Sequence, residues 1–237
     1  MNDLWTMIWK ETKDSVLQGG WSALIRPVLL IGILGIILPW RLGSQWLALT
    51  PIVMGIILYI PFILILSFVG DAIAGERERH TLETLLASRI SDRAILLGKV
   101  IVTTGYAWGT ALLGLLLGLI VANLSKGQGS WQFYMQGDLL LEALALSLLT
   151  SLLGVSGGVL ISLHSATVRQ AQQILMIATL VLVVGGALAL KAVPAQLISS
   201  LSASQFWLIV MAVLAILDAI LLGVSLVSFQ RSRLILS

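Results

Sequence analysis

The sequence predicts an all-α membrane protein of six transmembrane helices, preceded by an interfacial amphipathic helix and interrupted by one polar segment between spans two and three. Three observations predict it. Of the 237 residues, 58% are hydrophobic and 11% charged, where a soluble domain carries about 45–50% and about 25%. The mean hydropathy is +1.03, and the apolar residues fall into charge-free runs of span length separated by short turn-forming stretches. Fourteen Lys plus Arg and 11 Asp plus Glu are too few to solvate a globule of this size, whereas a surface facing lipid should be apolar.

The elements follow in order as one transmembrane domain over 1–237. Residues 4–18 form the amphipathic helix: Leu4, Trp5, Ile8, Trp9, Thr12 and Val16 recur at helical spacing, with charges opposite. Tryptophans suit the headgroup layer, so this helix lies along the membrane until Gly19-Gly20 turns it inward. Lys10, Glu11, Lys13 and Asp14 stand where a signal peptide would be apolar, so no cleavable signal is expected. A span needs about 20 apolar residues. The first, 22–40, reaches that length only if Arg26 snorkels to the interface. The second, 50–72, lies in an uncharged run and contains Pro61, expected to kink it or act as a hinge. The remaining four are 98–122, 139–163, 170–190 and 206–228, the last running through Asp218. Arg41-Leu42-Gly43-Ser44, Lys126-Gly127-Gln128-Gly129-Ser130 and Lys191-Ala192-Val193-Pro194 supply turn chemistry between them. The spacings Gly105/Gly109, Gly114/Gly118 and Gly154/Gly158 allow close helix packing without naming an interface.

Orientation follows from basic residues near the span ends. With the N-terminus cytoplasmic, that side holds Lys10, Lys13, Arg26, Arg77, Arg79, Arg89, Arg93, Lys99, Arg169, Arg231 and Arg233, against Arg41, Lys126 and Lys191 outside. Both termini are then cytoplasmic, and the net charge of +3 is a topology signal rather than a nucleic-acid one. No cysteine and two histidines leave no thiolate chemistry and no metal site to propose.

Charge concentrates in residues 71–99, which hold five acidic and five basic residues. Two spans can be joined by a few residues, so this length implies a built element. Thr81 is a candidate N-cap with Glu83 in the first turn, followed by the apolar stripe Leu82, Leu85 and Leu86. Ser91 is a second candidate N-cap, followed by Asp92, for a helix running through Lys99 into the third span. A solvated loop that only fixes topology is the alternative.

The order of residues resembles a known family. Glu76-Arg77-Glu78-Arg79-His80-Thr81-Leu82-Glu83-Thr84-Leu85-Leu86-Ala87-Ser88, followed by Gly98-Lys99 opening a span, is similar to the signature of type-2 ABC exporter permeases, E-x-E-x-G-T-L-E-x-L-L-x-x-P. The resemblance implies that 75–93 is a cytoplasmic coupling segment, with 81–88 a coupling helix docking on a separate ATP-hydrolysing subunit. It implies Glu76, Arg77, Glu78, Arg79, Thr81, Leu82, Glu83, Leu85 and Leu86 as coupling residues, with Glu76, Glu78 and Glu83 the ionic contacts. It also implies a second permease copy or a related permease as partner, and the inner membrane of a prokaryote as location. His80 replaces the usual Gly and Arg89 the usual Pro. Around Gly98-Lys99, Arg93 occupies the first Gly of a Walker loop and Val100 follows the Lys, so the chain has no such loop there. ATP and Mg are therefore expected on the partner, with no cofactor and no catalytic residue on this chain.

Polar groups inside the spans define the competing readings. A carboxylate at mid-span, such as Asp218, costs about 2.5–3.5 kcal/mol on insertion scales, so it faces protein or a watery cavity. Asp138 and Glu142 share a helix face near the outer end of span four, either lining an exit or solvated at the headgroups. Asp218 and Glu142 motivate a secondary transporter or channel, and the polar segment alone would serve a membrane scaffold. Gly154-Val155-Ser156-Gly157 matches the G-x-S-G of rhomboid proteases. His164, eight residues on, lies about 12 Å along the helix, beyond the reach a base needs.

Overall fold

The computed structural model describes residues 2–14, 25, 28–81, 89–126, 131–135, 137–192 and 202–229, and no strand occurs among them. In chain order the helices are α1 Asn2–Lys13, α2 Val28–Leu42, α3 Ser44–Leu47, α4 Pro51–Ala72, α5 Ala74–Glu78, α6 Asp92–Lys126, α7 Gly137–His164, α8 Val168–Ala192 and α9 Ala203–Ser228. Four of them, α6 to α9, are long and apolar enough to cross a membrane among the described residues. The Gly19-Gly20 turn, the start of the first span, the 127–130 turn, Pro194 and residues 82–88 lie outside the described residues.

Local chemistry sets the boundaries. Gly43, at φ 50°, ends α2, and its N–H donates to Pro39 O. Left-handed backbone there suits a residue without Cβ. Thr50 precedes Pro51 at the first helical position of α4, whose missing N–H costs nothing there. Ser91 caps α6 as the sequence predicts, its hydroxyl accepting from Ala94 N. Because this cap lies seven residues before the predicted span start, α6 runs 35 residues rather than beginning at 98. Ser202 and Gln205 close a capping box at the start of α9. α4 runs as one α-helix through position 61. Within α2, Ile33–Ile37 is wound as a π-helix.

α7 is central, packed on α4 and α9 and also touching α6 and α8; α1 and α2 lie against α6. The apolar core forms two clusters stacked along the bundle. One, at the end carrying α1 and α5, gathers Met7, Val69, Ile73, Ile95, Val155, Val159 and Leu163. The other, at the opposite end, gathers Leu34, Trp46, Leu47, Val53, Leu115, Leu139 and Leu146. Between them α7 turns a buried polar face inward through Ser147, Thr150 and Ser151. Each of these hydroxyls donates to a carbonyl of its own helix, which satisfies it in a dry interior.

At the end remote from α1, α3 presses Trp46 and Leu47 fully into the core. The segment 131–135 is fastened over it. Asn123 brackets Gln132, its Nδ2 donating to Gln132 O and its Oδ1 accepting from Gln132 N. Met135 N donates to Leu47 O at 3.0 Å, and the Tyr134 hydroxyl donates to Leu115 O at 2.8 Å. Burial pushes the Tyr134 phenol up to about 12, so it remains a neutral donor across the physiological range.

Candidate functional site

At the other end, three segments far apart in sequence meet on one cation. Lys99, near the start of α6, is 3% exposed, and its ammonium donates to Glu11 Oε1 at 3.0 Å and Glu76 Oε1 at 2.9 Å. Lys10 adds a weaker contact to Glu76 at 3.5 Å from a largely wet side chain. Helix α1 reaches this position because Gly98 has no side chain. A Cβ there would stand 2.6 Å from Met7 Cγ and 2.9 Å from Met7 Cβ. The adjacent Gly and Lys thus do two jobs: the first admits α1 and the second holds it. Met7 and Glu11 face the bundle, while Trp5 and Trp9 are 69% and 67% exposed on the opposite side.

The next two residues bind elsewhere. Arg77 Nη1 donates to Ser165 O at 2.7 Å and Nη2 to Leu163 O at 3.2 Å, at the C-terminal end of α7. Glu78 Oε1 accepts from Val168 N at 2.9 Å, the first residue of α8. Where α4 gives way to α5, the Ser162 hydroxyl accepts from both Ile73 N and Ala74 N. Sequence reasoning turns Glu76 and Glu78 toward a partner; the structure gives both carboxylates partners inside the chain. Thr81 closes the turn, its N–H and hydroxyl both donating to Glu76 O. Leu82, Glu83, Leu85 and Leu86 lie outside the described residues.

The family model for ABC-2 family transporter proteins matches residues 43–232. The chain belongs to the ABC-2 transporter family. A comparison with curated proteins returned no match. ABC-2 membrane subunits generally work with an ATP-binding subunit. With its spanning helices, this ABC-2 permease is an integral membrane protein and a membrane subunit of an ABC transporter.

His80 explains one feature of the permease signature. It sits at φ 55°, in the left-handed region, at the position where the signature carries Gly. The turn keeps the backbone that Gly would choose, and the side chain adds strain of roughly 1–2 kcal/mol. His80→Gly should therefore stabilise the purified permease by about 0.5–1 kcal/mol, after the greater freedom of Gly in the unfolded chain is deducted. Thermal unfolding in detergent checks this; an unchanged or lower midpoint counts against strain at His80.

The other sequence-predicted polar groups are dispersed. Asp218 is 3% exposed, and neither carboxylate oxygen has a hydrogen-bond partner among the described residues. Asp218 and Ser225, seven apart, are the two fully buried positions among the described side chains of α9. That places both on the face toward α7, where the Ser225 hydroxyl donates to Ser156 O at 3.4 Å. Glu142 is half-buried near the opposite end, one oxygen unpartnered. Ser156 donates to Leu152 O and His164 Nδ1 pairs with Leu160 O, so neither is aimed at the other. Sequence reasoning missed Ser162, Glu11 as a partner of Lys99, and the fastening of 131–135 over α3 by Asn123. The cue for Ser162 was faint: a Ser two residues before a span-ending His.

Proposed function

We propose that the chain is the permease subunit of an ATP-driven exporter, with six spans and both termini cytoplasmic in the plasma membrane of a prokaryote. In this reading α1 lies in the headgroup layer against membrane lipids, and 81–88 is the coupling helix. A second copy or a related permease completes the pathway, and each permease rests on an ATP-binding subunit that carries ATP and Mg. The observation that carries the reading is the junction at Lys99. It ties the start of the coupling segment (Glu76) to α1 (Glu11) and to the foot of α6, so a push on that segment reaches the spans through bonded contacts. α4, at 22 residues, is about 33 Å long and fits a hydrocarbon core of about 30 Å; α2 supplies the remaining span with residues before Val28.

Family membership favours this over the ion-driven and scaffold readings. Asp218 then serves as a buried polar group on the α7–α9 seam and Pro61 as a hinge in span two. Purification in gentle detergent with identification of co-purifying chains tests the reading. An ATP-binding subunit in the eluate is expected, and ATPase activity that rises when the permease is reconstituted with it. Glu83→Lys should insert normally yet lose that stimulation; full stimulation by this variant would remove Glu83 from the coupling surface.

A further inference from the structure

We propose that Arg77 and Glu78 are positioning residues that deliver the motion of the coupling segment to the turn between α7 and α8. The segment would then drive two helix pairs at once. The proposal rests on the ATP-driven reading and deepens it. Three consecutive residues reach three different places: Glu76 goes to α1 and α6, Arg77 to the end of α7, and Glu78 to the start of α8.

The charges match their targets. A guanidinium sits on the last carbonyls of α7, where the helix dipole is negative, and a carboxylate on the first N–H of α8, where it is positive. Arg77 makes its contact with two nitrogens on two carbonyls, which fixes direction as well as distance. On the other side of α5, Ser162 holds the two amides at the α4–α5 break. Ser162 and Ser165 are fully buried. The turn is therefore held from both ends of α5, so that a displacement of α5 is passed to α7 and α8 through these bonds. A loop used only for topology needs none of these bonds.

Hydrogen–deuterium exchange on the permease reconstituted with its co-purifying ATP-binding subunit, with and without Mg-ATP plus vanadate, tests the proposal. In the wild type, trapping should change exchange at 74–81 and at 162–170 together. In the Arg77→Ala/Glu78→Ala variant, which removes both hydrogen-bonding side chains, the response at 74–81 should persist and that at 162–170 should be lost, with the ATP-binding subunit still bound. A response at 162–170 that survives in the variant, or never occurs in the wild type, overturns the clamp. No nucleotide response at 74–81 in the wild type overturns the ATP-driven reading itself. Should the variant not fold, Glu78→Cys/Val168→Cys in this cysteine-free chain, joined by a short bis-methanethiosulfonate that forms a disulfide with each thiol and releases sulfinate, decides. Stimulated ATPase activity should survive the cross-link, and its loss, reversed by cleaving the linker, would show that the contact opens during the cycle.

Discussion

Replacing Lys99 with Met will destabilise the protein by about 3–5 kcal/mol, the cost of leaving buried carboxylates without their cation. Glu76 is 9% exposed, its Oε2 has no hydrogen-bond partner among the described residues, and its Oε1 depends on Lys99 at 2.9 Å. Lys10, 3.5 Å away on a side chain 41% exposed, is too wet to take over, since pairs in water contribute about 0–1 kcal/mol. The Met side chain itself fits the site, so the loss comes from charge rather than volume. Denaturant or thermal unfolding in detergent measures the effect, and faster proteolysis of α1 should accompany it. The triple change Glu11→Gln, Glu76→Gln, Lys99→Met removes all three charges and should recover most of the loss, because a neutral replacement of a buried ion cluster is often close to neutral in energy. A Lys99→Met protein within about 1 kcal/mol of wild type, the scale of an exposed pair, would mean that the junction is solvated.

The same residues mark the limit of what the sequence discloses. The helices were legible because lipid and core both demand apolar runs, and two of their ends because Gly43 and Ser91 carry backbone preferences that act locally. Position 80 was legible as unusual, since only the left-handed turn makes sense of a usual Gly there. The junction was half legible: Glu76 and Lys99 stand out as charges beside apolar runs, but nothing in their spacing says that they meet each other. Residues 11, 76 and 99 are brought together by packing, and packing was announced only by Gly98 next to Lys99, a missing side chain beside a cation. Arg77 and Glu78 were legible as charges but not in what they bind inside the chain. Charges in a polar segment read as solvent- or partner-facing, whereas here the ends of α7 and α8 offer backbone groups that claim them first. Asp218 was legible as buried from its depth, but its face became clear only from Ser225, seven residues on.

Gly158→Leu will separate α4 from α7, the most extensive helix contact of the bundle, and should cost at least the roughly 1–3 kcal/mol typical of overpacking. Even a Cβ at this position would lie 2.5 Å from Val69 Cγ1 and 3.0 Å from Val69 Cβ. Valine is branched at Cβ and stiff, so it cannot swing clear, and the helix carrying it must move. One turn away, a Cβ on Gly154 would meet Ile65 Cδ1 at 2.9 Å, so the two glycines form one close-packed seam. Gly105 and Gly109 have the same spacing but open space beyond them, and Gly105→Leu should not lower the stability of the isolated chain, helix preference alone adding up to about 0.8 kcal/mol. The comparison separates packing from propensity, since all four positions lie within helices and share the intrinsic preference of Leu over Gly. Pairing Gly158→Ala with Val69→Ala should restore part of the loss from Gly158→Ala alone, because Val69 Cγ1, the atom nearest the new Cβ, is gone. Equal midpoints for Gly105→Leu and Gly158→Leu would show that α4 and α7 do not meet along this seam. The outcome bears on coupling as well, because α4 runs directly into α5, and a wedge at position 158 would shift the very element whose Glu76, Arg77 and Glu78 hold the neighbouring helices.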